Sequence, residues 1–311
     1  MTPLYSYTLS QWVLFFLFYC FVGWCIESTF VSCRKRQLVN RGFLNGPVIP
    51  IYGSGAIVIL FATLPVRQHP AAVFLLGMLA ATVLEYVTGA VMEAVFKVRY
   101  WDYSGNPLNL HGYICLGTSL AWGVLSLVLV LWLHRPVERV VLSIPAFAAE
   151  LAALVLSGIF LADLAVSLKA ALDLRRLLEQ LQAYSEKART DARLLQRRME
   201  IYTTFKKEAL SEYLSQKLPD SGEALQRRIE AMEQAAARLE QSEAVQKLRT
   251  DLAVWKARRA EAREGFRQRM TWDKRMLLRN NPTAGSRQYA DQLRLLRQRM
   301  AEEREARRKK H

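Results

Sequence analysis

The sequence is poor in the residues that build metal centres and disulfide frameworks. Its four cysteines, Cys20, Cys25, Cys33 and Cys115, show neither a CxxC pair nor Cys/His ligand spacing, and there are only four histidines. A disulfide-framed secreted domain and a zinc-ligated fold are excluded, and neither metal nor cofactor is expected. No GxxxxGK[ST] loop is present to cradle nucleotide phosphates. Charge is also missing from the first ten residues, and the apolar stretch that follows is too long for a signal-peptide core, so a retained membrane span is expected there.

What is present is unevenly distributed. Residues 1–168 hold 9 Lys/Arg and 7 Asp/Glu, whereas residues 169–311 hold 34 and 21. The net charge of +15 therefore splits into +2 and +13. A mean hydropathy near zero is the average of an oily half and a charge-dense half, and one soluble globular domain is excluded. Two domains are expected, a transmembrane helical domain over 1–168 and a basic cytoplasmic tail over 169–311.

A helix needs about 20 apolar residues to cross a hydrocarbon core about 30 Å thick. Five stretches qualify: 9–31, a shorter 50–66 opened by Pro50, then 70–96, 113–134 and 137–168. The fold class is all-α, a polytopic bundle of about five spans followed by long coiled-coil helices. Arg34, Lys35, Arg36 and Arg41 follow the first span, Lys97 and Arg99 follow the third, and the basic tail follows the fifth. The positive-inside rule puts these three regions in the cytoplasm and the N-terminus outside, in a multi-pass protein of the cell membrane.

Ionisable groups inside spans cost about 2.5–3.5 kcal/mol each on insertion scales, so each needs a partner or a purpose. Glu27 lies near the inner end of span one, Glu85 and Glu93 lie in the inner half of span three, and Glu150 is expected mid-way along span five. Glu85 and Glu93 are separated by eight residues, roughly 12 Å along a helix, and with Gly89 between them they mark a closely packed polar stripe. Residues 39–55 are apolar but broken by Pro47, Pro50 and four glycines, and such a segment must be buried in protein or line a cavity. Residues 99–112 form a second loop, in which Trp101 and Tyr103 suit an interfacial anchor.

The candidates for a substrate-binding site or pathway are Glu27, Asn40, Arg41, Tyr52, Glu85, Glu93, Trp101, Asp102, Tyr103 and Asn109. Three readings stand open for them. The acids and Arg41 and Arg99 form ion pairs that lock the helices, or they line a path for a polar or anionic solute, or a buried carboxylate acts as a base in catalysis. No catalytic residue is assigned.

Six ordered motifs run through these loops: Gly23-Trp24-x-x-Glu27, the stretch from Asn40 to Gly53, Leu84-Glu85-Tyr86, Met92-Glu93, Trp101-Asp102-Tyr103, and Asn109-Leu110-x-Gly112-x-x-Cys115. Together they resemble the ABC-transporter type IV family, also called CmpB-like, over about residues 10–135. The resemblance implies a multi-pass membrane protein and a permease-like transport component. Without a phosphate loop, it also implies a separate ATPase subunit. It carries no assigned substrate-contact or catalytic residues.

The tail contains neither Gly nor Pro from 169 to 218, and a continuous helix is expected there. Leu178, Leu181, Ser185, Ala188, Ala192, Leu195, Met199 and Tyr202 alternate by three and four residues, which is coiled-coil spacing. A turn at 219–223, a second helix to about Arg279 and a third over 287–308 should follow, with the two long helices folding back as a hairpin or joining a second copy of the chain. The bilayer is the expected partner, and a homo-oligomer through the coiled coil is a further expectation. No zinc pattern, RNP-like aromatic run or helix-turn-helix supports nucleic-acid binding. The leading reading is a transport component with a polar cavity on the cytoplasmic side. Its alternatives are a membrane enzyme acting on a lipid or polyprenyl headgroup, and a structural or regulatory protein that recruits partners through its coiled coil.

Overall fold

The structure, a computed structural model, describes residues 7–215, 234 and 243–308. The described residues are almost wholly helical, as the sequence pattern requires. Helix α1 spans Leu9–Lys35, α2 Pro50–Thr63 with a 3-10 turn to Val66, and α3 Pro70–Phe96. Two short antiparallel strands, β1 (Asn109–Leu110) and β2 (Ile114–Cys115), close the loop before α4 (Leu116–Leu127). A π-helical segment, Val128–Leu133, joins α4 to α5 (His134–Ser143), and α6 runs over Ala146–Ser215. Then come α7 (Glu243–Arg269), α8 (Trp272–Asn280) and α9 (Ala290–Arg308).

Among the described residues four helices are long and apolar enough to cross a membrane: Leu9–Lys35, Pro70–Phe96, the continuous Leu116–Ser143, and the first part of α6. The shorter Pro50–Val66 is the fifth expected stretch. Pro50 and Pro70 each open a helix at its first position, where the missing N–H costs nothing.

The boundary between the fourth and fifth stretches differs from expectation. Pro136 does not break the helix, because the π segment immediately before it unwinds the ladder where the ring removes a donor. The break falls at Ile144, which the following Pro145 holds in an extended conformation. Arg135 and Arg139 thus lie within α5 and not in a loop. Glu150, starting from Ala146, sits exposed in the second turn of α6 and not mid-way along a span.

The helices approach closely where small residues allow it. A Cβ on Gly53 would lie 2.6 Å from the Phe16 carbonyl oxygen, so α1 and α2 meet almost backbone to backbone there. The core between them holds Phe15, Tyr19, Ile59, Leu60 and Val73. Two sets of contacts mark the two ends of the bundle. At one end Tyr7 donates to Glu138, and Tyr19 meets His134 at 2.9 Å. At the other end lie residues 36–49, residues 97–115 and the stretch between α8 and α9.

The chain forms two compact units, Met1–Glu179 with Thr271–His311, and Gln180–Met270. The residues expected as a single tail over 169–311 are divided between them. Within the second unit the two helices run antiparallel: Tyr184 donates to the Arg258 carbonyl at 3.2 Å, Asp191 faces Arg258, and Arg198 pairs with Asp251. Ala192 and Met199, two of the expected seam residues, face Leu252 and Trp255. The expected turn at 219–223 and the side chains of Leu195 and Tyr202 lie outside the described residues.

The second helix of the tail does not run on to Arg279. It stops at Arg269, and Thr271 starts α8 in an extended N-cap conformation with Asp273 in the first turn. The last helix begins at Ala290, three residues later than expected, because Ser286 first accepts from the Tyr289 N–H at 3.0 Å.

Candidate functional site

The first loop is held to the bundle by side chains on both of its flanks. Asn40 accepts from the Trp24 indole at 2.5 Å and donates to the Asn45 carbonyl at 2.7 Å, which makes it a brace within the loop. Asp163, on α6, accepts from the backbone N–H groups of Asn45 at 3.1 Å and Gly46 at 2.8 Å. One carboxyl group thus takes both backbone donors of the Asn45-Gly46 turn. The sequence signal for Asp163 was its charge within an apolar run, which sequence reasoning passed over.

This bracing directs Arg41 inward. Its N–H donates to Ser28 at 3.1 Å, and its guanidinium reaches Glu27 at 3.8 Å, the Asn280 carbonyl and Asn281 Oδ1 at 3.4 Å each, and Thr283 at 3.2 Å. Burial lowers the Arg41 guanidinium and the Glu27 charge opposes that shift. Arginine stays protonated regardless. Asn281 returns a bond to the Gly42 carbonyl at 2.8 Å.

The second loop is anchored by Arg99, which is 4% exposed. Its side chain bonds Glu93 at 2.6 Å and Asp102 at 3.3 Å and lies 4.7 Å from the centre of the Tyr113 ring, and Tyr113 also donates to Glu93 at 2.6 Å. Its backbone exchanges two hydrogen bonds with Gly285, at 2.7 and 2.8 Å. Partial burial alone would raise the Asp102 carboxyl. The Ser104 donors and the Arg99 and Arg287 charges outweigh it, so the net shift is downward. Asn109 stays within this loop, donating to the Ser104 and Asn106 carbonyls at 3.2 and 2.8 Å and accepting from Gly112. Gly112 needs its freedom here, with φ +76°.

The two loops and the helices enclose a cavity of about 870 Å³. Glu27 (α1), Tyr52 (α2), Glu85 (α3), Trp122 (α4) and Leu164 and Leu168 (α6) all line it, with Arg41, Tyr100, Trp101, Asp102 and Tyr103 from the loops and Asn281 and Thr283 from the C-terminal stretch. Of the ten sequence candidates, seven line this space: Glu27, Arg41, Tyr52, Glu85, Trp101, Asp102 and Tyr103. Asn40, Glu93 and Asn109 hold the loops around it. Trp101 donates to the Tyr113 carbonyl at 3.0 Å, and Tyr103 donates to Glu85, so both turn into the bundle and neither stands as a headgroup anchor.

Glu85 is 6% exposed. The Trp122 indole donates to one of its oxygens at 3.0 Å and the Tyr103 hydroxyl to the other at 3.3 Å. Tyr52 donates to Glu27 at 2.9 Å, and the Tyr52 and Trp122 rings lie 5.9 Å apart. Trp122, Asn281 and Thr283 were not among the sequence candidates. Trp122 reads as one more apolar span residue, and the other two lie some 240 positions from the loop they meet. Among the described residues no group of three or more His, Cys, Asp or Glu is placed to hold a metal ion.

Residues 14–168 match the model of the family described as Putative ABC-transporter type IV. The membrane segment belongs to that family. The match runs beyond the quoted motifs to take in Asp163, the group on α6 that clamps the Asn45-Gly46 motif residues. No curated protein and no solved structure matches the chain. This is a membrane protein whose fold and family fit a component of a transporter.

Proposed function

We propose that the chain is the permease-like component of a transport system and that the cavity is part of its solute pathway. One observation carries the reading: a single space is lined from all five apolar helices and both loops, with Glu27, Arg41 and Glu85 exposed to it. The helix-locking role falls to the Glu93, Arg99 and Asp102 group, which ties the second loop to α3.

In this reading α2 is a fifth span, the N-terminus is outside, and the two loops and the helical tail are cytoplasmic at the cell membrane. An ATPase is supplied by a separate subunit, since the chain has no phosphate loop. The antiparallel helices of Gln180–Met270 act as a coiled-coil arm for a partner or a second copy. The enzyme reading, chemistry on a lipid headgroup, draws on a different feature. Val91, Val95 and Leu125 line the cavity and are also more than 40% exposed on the helix faces.

The test is uptake by membrane vesicles from the native host, which carry the chain together with its separate ATPase subunit, given a defined mixture of small polar solutes and ATP, with vesicles lacking the chain as the empty control. Depletion of a solute by wild type and its loss in Thr88→Trp, which fills the cavity, is the expected result. Identical uptake by both, or none above empty vesicles, contradicts the pathway.

A further inference from the structure

The charges around the cavity are unequal. Glu27 has Arg41, and Glu93 and Asp102 share Arg99, but Glu85 meets no basic side chain among the described residues. Its two oxygens lie within hydrogen-bond distance of the Trp122 indole and the Tyr103 hydroxyl, and a cation beside it would supply the charge partner that the described residues do not. The space therefore offers the Glu85 carboxyl group and the rings of Tyr52, Tyr103 and Trp122. A carboxyl group with no basic partner, ringed by π-systems, is complementary to an ammonium group, which has three donors, supplies the missing positive charge and is drawn to aromatic faces.

We infer that the cavity takes an ammonium-bearing ligand, with Glu85 as its counter-ion. The inference rests on reading the cavity as a solute pathway and names the chemistry of what enters it. An amine reaches this place from two sources. A free small amine arrives through the loop-side mouth, and an aminolipid headgroup enters past Val91, Val95 and Leu168, with its chains left in the bilayer.

The experiment measures binding to the full-length chain in nanodiscs of phosphatidylcholine by calorimetry and native mass spectrometry. Ethanolamine is the free-amine probe and ethylene glycol its uncharged control. Phosphatidylethanolamine is the lipid probe and phosphatidylglycerol its control. Wild type should bind at least one amine probe in preference to its control, and Glu85→Gln should lose that preference by tenfold or more. Preference for ethanolamine identifies a free amine, and preference for phosphatidylethanolamine alone identifies a lipid. Preference for neither, or an undiminished preference in folded Glu85→Gln, overturns the inference. If Glu85→Gln fails to fold, Glu85→Asp retracts the charge by one methylene. Weaker amine binding then supports the assignment, and unchanged binding overturns it. Amine binding without solute uptake in the vesicle assay removes the transport reading alone, and uptake without amine binding removes this inference alone.

Discussion

Asp102 shows how one charge can be held by several partners. Its carboxyl sits below the ordinary aspartate range of about 3.9 because Ser104 donates to it and Arg99 and Arg287 lie nearby, against the opposing effect of partial burial. The folded state thus binds the Asp102 proton more weakly than the unfolded chain does. Its stabilisation is complete above the ordinary aspartate range and is lost as pH falls through the depressed folded value. Asp102→Asn should flatten the acid side of the thermal-unfolding pH profile, with no change in its alkaline side. An acid limb of unchanged slope would show that Asp102 contributes nothing there. Seven of the ten residues picked from sequence were legible because an acid, arginine or amide in an oily stretch is conspicuous, and Tyr52, Trp101 and Tyr103 because they stand in the loop motifs. Trp122 was hidden by the same logic: an indole in an apolar span gives no sign that its N–H meets a carboxylate.

At the scale of elements, Asp163 ties α6 to the first loop. Asp163→Ala removes the acceptor of the Asn45 and Gly46 N–H groups and should cost about 1.5–3 kcal/mol, as expected for bonds to a charged group. Hydrogen exchange should speed up at those two amides while the α3 amides stay protected. Equal exchange in both proteins would contradict the clamp. Helix starts at Pro50 and Pro70 were readable because proline at a first position is unambiguous. Pro136 was not, since a π segment absorbs it and the pre-proline Ile144 makes the real break. The end of α7 was also missed, because an unbroken run of helix formers conceals a Thr271 cap.

For the whole molecule, the least legible feature is the return of Asn280–Ser286 to the membrane unit. Its bonds to Arg41, Gly42, Lys97 and Arg99 join positions about 190–240 residues apart, and no local pattern encodes them. Those contacts put both loops and Asn280–Ser286 on one side. The exposed thiol of Cys33, at the loop-side end of α1, therefore reports which side that is. A membrane-impermeant maleimide should label Cys33 in inside-out vesicles and not in right-side-out ones, with Cys33→Ser as the blank. The reverse pattern would invert the proposed topology.

The central claim is that the cavity holds a solute. The direct measurement is mass spectrometry of small molecules that co-purify with the full-length chain in its native lipids, comparing wild type with Glu85→Gln and Thr88→Trp. A species that is present with wild type and depleted tenfold or more in both variants is the predicted result. Identical profiles for three folded proteins would contradict it.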